Sequence, residues 1–252
     1  MILVGDIGGT NTTIAAVDHT DGRFSVRRRK RYSSGDLNGI EDALRDFLDG
    51  DRGPDGGSAD HLDLCCLSGA GPVRDNRCHM TNVGWIIDGH EVEAMLGTPT
   101  FVINDFSAIC YALPLLETHD EIDSVALSHT DGATPSPHGF VRAVVGAGTG
   151  LGTGYLIEDR GHFTAHASEG GHSDFAPLDE EMVIVRDYLR GRFPVAPGAE
   201  QYISGQGIRN VYEALRAVGE IAGDPVTQKI DALGTGDQPA EIAAAADHHE
   251  GC

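Results

Sequence analysis

Lysine is nearly absent from this chain. Among 252 residues the only lysines are Lys30 and Lys229, and every other base is arginine. Bases of both kinds are scarce, 18 against 39 acids, and the net charge is −21 at pH 7. Such a field repels phosphodiester chains, which excludes a general nucleic-acid binder. Long hydrophobic runs are missing too. The longest, residues 108–116, is broken by proline and far too short to cross a bilayer, so no membrane partner is expected. The start of the chain, Met1 to Asp6, has neither a basic stretch nor a cleavage site, and no secretory leader is expected. The five cysteines are Cys65, Cys66, Cys78, Cys110 and Cys252, an odd number without a C-x-x-C. That pattern argues against a disulfide framework and a zinc knuckle. Cys65, Cys66 and Cys110 lie among apolar residues and read as buried thiols, so a reduced, cytoplasmic protein is expected.

What is present is an ordinary globular composition, 40% hydrophobic and 23% charged, at a length suited to one large or two small α/β domains. Strong acidity often accompanies disorder, but apolar residues recur here in regular elements. A folded, acidic, lysine-poor chain stays hydrated where salt screens its self-repulsion, which points to a halophilic source. A high-GC genome would explain the lysine deficit but not the excess of aspartate.

Strand patterns cover residues 2–6, 12–18 and 24–32, with a turn at Thr20-Asp21-Gly22. Ile40, Leu44, Phe47 and Leu48 fall on one helical face ahead of Gly50. A glycine-rich loop at 51–60 leads to a strand at 62–67. Asp88 with Glu91 reads as a capping box for a helix stopped by Gly97. A strand at 100–103 runs into Asn104-Asp105 and a helix presenting Phe106, Ile109, Cys110 and Leu113. After a surface loop at 130–138 come strands at 142–145 and 154–157. Helices follow at 179–189, at 205–218 and from Asp224-Pro225 to Gly234. This double succession predicts two α/β lobes flanking a cleft, residues 1–110 and 111–252, with the boundary near 104–114. The basic run from Arg27 to Arg31 lies inside a strand of a very acidic chain. A charged, exposed edge strand accounts for it better than a nucleic-acid arm does.

Two glycine loops carry chemistry. Asp6-Ile7-Gly8-Gly9-Thr10-Asn11 follows a buried strand and precedes a β-branched stretch rather than a helix, and it lacks Gly-Lys-Ser/Thr. That excludes the P-loop and dinucleotide geometries, which place phosphate at a helix N-terminus. It fits a hairpin whose amides cradle phosphate while Asp6 faces Mg²⁺, with a plain hairpin turn as the bland alternative. Gly146-Ala147-Gly148-Thr149-Gly150-Leu151-Gly152 repeats the logic between two later strands. Asn104-Asp105 could orient a substrate hydroxyl and take its proton, or merely cap a helix. Glu169-Gly170-Gly171-His172-Ser173-Asp174-Phe175 suits a hydroxyl-rich ligand, or is a polar turn. His162, His166 and His172 fall short of a zinc set, with no cysteine nearby.

In this order the motifs resemble the bacterial-type ATP-dependent glucokinase family, within the superfamily of sugar kinases, heat-shock ATPases and actin. The likeness runs from Val4 to Asn11 through Gly71-Pro72, Thr81-Asn82-Val83-Gly84-Trp85, Ile103 to Phe106, Gly146 to Gly152 and Glu169 to Phe175, and ends at Ala199-Glu200 with Ser204-Gly205. It implies a two-lobed actin-like (ribonuclease H-like) α/β sugar kinase fold whose second lobe is incomplete here. Asp6, Gly8, Gly9, Thr10 and Asn11 would form the first phosphate motif, with Asp6 holding Mg²⁺ through water. Gly148, Thr149 and Gly150 would form the second. Asp105 would be the general base on the 6-hydroxyl of glucose, while Asn104, Asp105, Glu169, His172 and Glu200 bind the sugar. ATP would be the donor, and a homodimer is the candidate assembly. Family members carry a further Gly-Gly adenosine motif and a final helix, and no Gly-Gly pair follows Gly171 here. The resemblance therefore leaves two alternatives beside glucokinase: a sugar-binding remnant impaired in turnover, and a kinase for another hexose. The related kinases with a cysteine-rich zinc motif differ, since that motif is absent.

Overall fold

The computed structural model describes residues 1–50, 61–80, 83–118, 125, 127, 131–133 and 139–246. The loop at 51–60, Thr81, Asn82, most of the loop at 130–138, and the segment His248 to Cys252 lie outside the described residues. Two compact units are found, Met1–Ser136 and Pro137–Cys252. The division falls beyond the anticipated 110/111 boundary, which would cut a helix that packs back onto the first unit's sheet.

Unit 1 is built on a five-stranded sheet. Strands β1 (Ile2–Ile7), β2 (Asn11–Thr20) and β3 (Arg23–Ser33) form an antiparallel meander. Helix α1 (Ile40–Asp49) leads to β4 (Leu64–Gly69), parallel to β1. A small sheet of β5 (Val73–Arg74), β6 (Arg77–His79) and β7 (Ile86–Asp88) precedes helix α2 (Gly89–Leu96). Strand β8 (Thr100–Asn104) then pairs parallel with β4, and helix α3 (Asp105–Thr118) folds back on both. The sheet order is β3-β2-β1-β4-β8.

Alternation decides which face is buried. Leu3 and Ile7 of β1, Ile14 of β2, Cys65 and Leu67 of β4 and Val102 of β8 share one face, covered by Ile40, Ala43, Leu44 and Phe47 of α1. Cys66 points the other way and is only half buried, unlike Cys65 and Cys110. The basic run lies on edge strand β3, but two of its five residues, Arg28 and Lys30, serve α1. Arg28 stacks over Phe47 at 3.9 Å, Lys30 pairs with Asp46 at 2.6 Å, and the Tyr32 hydroxyl donates to Asp46 at 2.7 Å. Asp88 caps α2 by accepting from the His90 amide at 3.0 Å, and Arg77 engages its carboxylate. No return bond from Glu91 closes the anticipated box among the described residues. Gly97 ends α2 with φ +66°, as expected of a left-handed cap. Asn76 acts as an extra strand partner for β8: its amide donates to Thr100 O at 2.8 Å and accepts from Val102 N at 2.7 Å.

Unit 2 begins with a three-stranded antiparallel meander, β9 (Val141–Ala147), β10 (Leu151–Asp159) and β11 (His162–Ser168). Helices α4 (Glu180–Arg190), α5 (Glu200–Ile203), α6 (Gly205–Val218), α7 (Pro225–Asp231) and α8 (Gln238–Ala246) follow. Val185, Leu189, Tyr202 and Ala214 form one core, in which Tyr202 stacks on Phe175 at 3.9 Å. Tyr212, Ile230 and Ile242 form a second. Ser204 caps α6 through the Gly207 amide at 3.1 Å, and Asp224 with Thr227 closes a capping box on α7 behind Pro225. Strand β11 and the short α5 have no clear signature in the sequence. On β11 the polar His162, Thr164 and His166 alternate with Phe163, Ala165 and Ala167, of which only Phe163 is large and apolar, and α5 is a single turn.

Candidate active site

In unit 1 the candidate residues collect at the carboxyl ends of the parallel strands, where ligands of open α/β sheets bind. Ile7 lies opposite Gly69, and Gly69 lies opposite Asn104, so β1, β4 and β8 end at one level. The chain leaves that level as the Gly8–Asn11 turn, the Ala70-Gly71 turn and Asp105. The first glycine loop is closed by the Gly8 amide donating to Asn11 O at 2.9 Å. Ser34 braces it from the end of β3: its hydroxyl donates to Gly8 O at 2.8 Å and its amide to Thr10 O at 2.9 Å. Having spent its hydrogen on Gly8, Ser34 Oγ accepts from Thr12 Oγ1 at 2.9 Å. Gly9 and Thr10 form the tip of the loop. Nothing in the sequence marks Ser34, which lies 26 residues from Gly8.

Asn104 and Asp105 divide the work between them. Asn104 Oδ1 accepts from the amides of Phe106 at 3.0 Å and Ser107 at 3.1 Å, so Asn104 is the residue that caps α3. Its Nδ2 donates to Gly71 O at 3.1 Å and to Asp105 Oδ1 at 2.9 Å, tying the β4 turn to the end of β8. Asp105 Oδ1 also accepts from Phe106 N at 2.9 Å, while Oδ2 has no protein partner among the described residues. Burial raises the Asp105 pKa above its ordinary value, the Phe106 amide works against that shift, and the charge of Asp6 adds to it. The thiol of Cys78, fully buried nearby, is pushed up to about 11 by burial and by Asp105, and so stays a neutral filler.

Asp6 is exposed, and one of its oxygens takes a bond from Ser68 Oγ at 3.3 Å, the residue in register with it on β4. An open carboxylate beside a second one fits Mg²⁺, which keeps several waters and binds through one or two carboxylates plus substrate phosphates. Among the described residues no group of three or more His, Cys, Asp or Glu could cage a metal ion.

Unit 2 brings together the remaining candidates. The second glycine loop joins β9 to β10, and Gly148 N closes on Gly150 O at 2.8 Å. Glu169 precedes a 3-10 turn, Gly170–His172, and His172 Nε2 lies 3.5 Å from Glu169 Oε2 with both side chains largely exposed. This turn sits directly on β10, because a side chain at Gly171 would collide with Leu151 O at 2.2 Å. Ser173 O accepts from Ala199 N at 2.8 Å, which brings in the start of α5. There Glu200 Oε2 accepts from Leu151 N at 2.9 Å. The residue expected to face sugar thus already holds the end of the glycine loop.

The glucokinase family profile matches residues 3–252, nearly the whole chain. The chain belongs to the glucokinase family. It is 35% identical to the glucokinase of Pectobacterium atrosepticum over 215 residues, covering 85% of this chain and 62% of that protein. With the glucokinase of Nostoc punctiforme it shares 32% identity over 219 residues, covering 86% and 60%. The chain therefore spans 60–62% of the length of these curated relatives. The solved glucokinase from an Antarctic psychrotroph aligns with TM-score 0.71 at 28% identity, over 98% of this chain and 74% of that one. The mixed α/β architecture is that of the actin-like sugar kinases. No described helix is long and apolar enough to cross a membrane.

Proposed function

We propose that this chain performs glucokinase chemistry, moving the γ-phosphoryl group of ATP to the 6-hydroxyl of glucose and releasing glucose 6-phosphate and ADP. The observation that carries it is Asp105: a carboxylate at the carboxyl ends of the parallel strands β1, β4 and β8, anchored through one oxygen, with the other unpartnered among the described residues and its proton affinity raised. A general base must reach the hydroxyl it deprotonates and hold the proton briefly, and this arrangement meets both needs. Asn104, fixed by α3 and Gly71, orients the same substrate. Glu169, His172 and Glu200 supply acceptors and a donor for the other sugar hydroxyls. In the Gly8–Asn11 and Gly148–Gly150 loops the amides not spent on closing the turn, Gly9 and Thr10 in the first and Thr149 and Gly150 in the second, donate to phosphate oxygens, since phosphoryl transfer depends mainly on positioning and charge neutralisation. Mg²⁺ supplies part of that neutralisation when bound, and Asp6 would hold it through water. The setting proposed is cytoplasmic, with a homodimer as the assembly and a salt-adapted source.

A second reading is a sugar-binding protein without turnover, in which the exposed Glu169 and His172 hold sugar hydroxyls and no phosphoryl group moves. The test is glucose-dependent ADP formation at high KCl with Mg²⁺ and ATP, alongside Asp105→Asn. We expect turnover to fall about 10²- to 10⁴-fold in the variant, the usual contribution of a general base, with glucose affinity nearly kept. Equal turnover in both proteins would overturn the base assignment, and no turnover with intact glucose binding would favour the second reading.

A further inference from the structure

We infer that Glu200 is a positioning residue for the second glycine loop, holding it in the shape that receives phosphate. This rests on the phosphate-loop reading above. Both ends of the loop are tied to one short segment. Leu151 N donates to Glu200 Oε2 at 2.9 Å, and Gly205 N donates to Gly148 O at 2.8 Å. The segment between these ties is itself anchored: Tyr202 stacks on Phe175 at 3.9 Å, and fully buried Ser204 caps α6. Within the loop Gly148 N is used by Gly150 O. The amides of Thr149 and Gly150 have no protein acceptor among the described residues, and they are the donors left for an anion. Glycine at 150 is what lets the carboxylate in, because a Cβ there would lie 2.6 Å from Glu200 Oε2. A charged acceptor makes this bond stronger than a neutral one would. Glu200 Oε1 has no protein partner among the described residues, so one carboxylate can hold the loop and still accept a hydroxyl.

The experiment compares the parent chain with Glu200→Ala, Glu200→Gln and Gly150→Ala. It follows hydrogen exchange at the Leu151 amide, ADP titration with Mg²⁺ in the absence of sugar, and glucose titration. Losing a bond to a charged group should speed Leu151 exchange and weaken ADP binding about tenfold or more in Glu200→Ala. Glu200→Gln keeps an acceptor oxygen and should stay within about threefold of the parent, since neutral bonds are weaker but still made. Gly150→Ala displaces the carboxylate without removing it and should reproduce the faster exchange, which keeps the test alive if Glu200→Ala fails to fold. Unchanged Leu151 exchange in both alanine variants would overturn the inference. So would unchanged ADP affinity with weakened glucose binding, which would make Glu200 a sugar ligand alone. Failure of the parent chain to bind ADP is a different result: it overturns the phosphate-loop reading, and the tether is then judged on Leu151 exchange.

Discussion

Asp105 sits where burial and a like charge both oppose ionisation, while the Phe106 amide, its own backbone amide and the Asn104 side chain support the charged form. Replacing Asp6 by Asn removes the like charge, so the Asp105 pKa should fall; carboxyl-carbon NMR titration of both proteins measures it, and an unmoved value would refute the coupling. A folded-state pKa above the unfolded one means the native protein holds this proton more firmly. Stability then declines as pH rises from the ordinary value of 3.8 through the raised one, and the cost persists at neutral pH. Asp105→Asn should therefore raise the melting temperature at pH 7, and the gain should vanish below the ordinary carboxylate range. This is the trade of stability for function expected at an active site. Glu169 is largely exposed and carries little of the fold, so Glu169→Gln should weaken glucose binding without altering thermal stability. An unchanged glucose dissociation constant would remove it from the site.

Among the elements, the β3–α1 pairing shows how a charged strand becomes structural. Alternation sends Arg28, Lys30 and Tyr32 toward α1, where Arg28 donates to Phe47 O at 2.6 Å besides stacking on the ring. Phe47 is 1% exposed at the centre of the unit 1 core. Phe47→Ala should destabilise unit 1 by about 3–5 kcal/mol in urea unfolding, the usual range for a buried aromatic. Asp88 tests the helix end: Asp88→Ala should cost about 1–2 kcal/mol through loss of the α2 cap, whereas Asp88→Asn keeps the cap and loses only the charge facing Arg77. Equal losses in both variants would mean that the ion pair with Arg77, not the cap, holds this end. The sequence already showed Asp88, Gly97 and the apolar face of α1, since each depends on neighbours within a turn or two. It did not show that Asn104 rather than Asp105 caps α3, because both residues suit that position chemically.

For the whole molecule, the net charge of −21 dominates. Both lysines are engaged, Lys30 with Asp46 and Lys229 with Glu241, yet such pairs are exposed and contribute little against so large an excess. Screening shortens from about 10 Å at 0.1 M salt to about 3 Å at 1 M, so repulsion between scattered carboxylates should fade. The melting temperature should rise steadily with KCl toward molar concentration. A fall over that range would mean that the exposed pairs outweigh the repulsion, and would argue against a salt-adapted source.

What the sequence determined by itself is local: alternation in β1 to β3, the amphipathic face of α1, the capped ends of α2 and α7, and two glycine loops each set between strands. These follow from backbone and side-chain preferences that act over a few residues. Tertiary structure alone decided that β1, β4 and β8 end level, that Ser34 braces the first loop, and that the unit boundary lies beyond α3. It also decided that Glu200 reaches Leu151, 49 residues away. Those facts depend on strand register and on which surfaces pack together, and no stretch of a few residues contains that information.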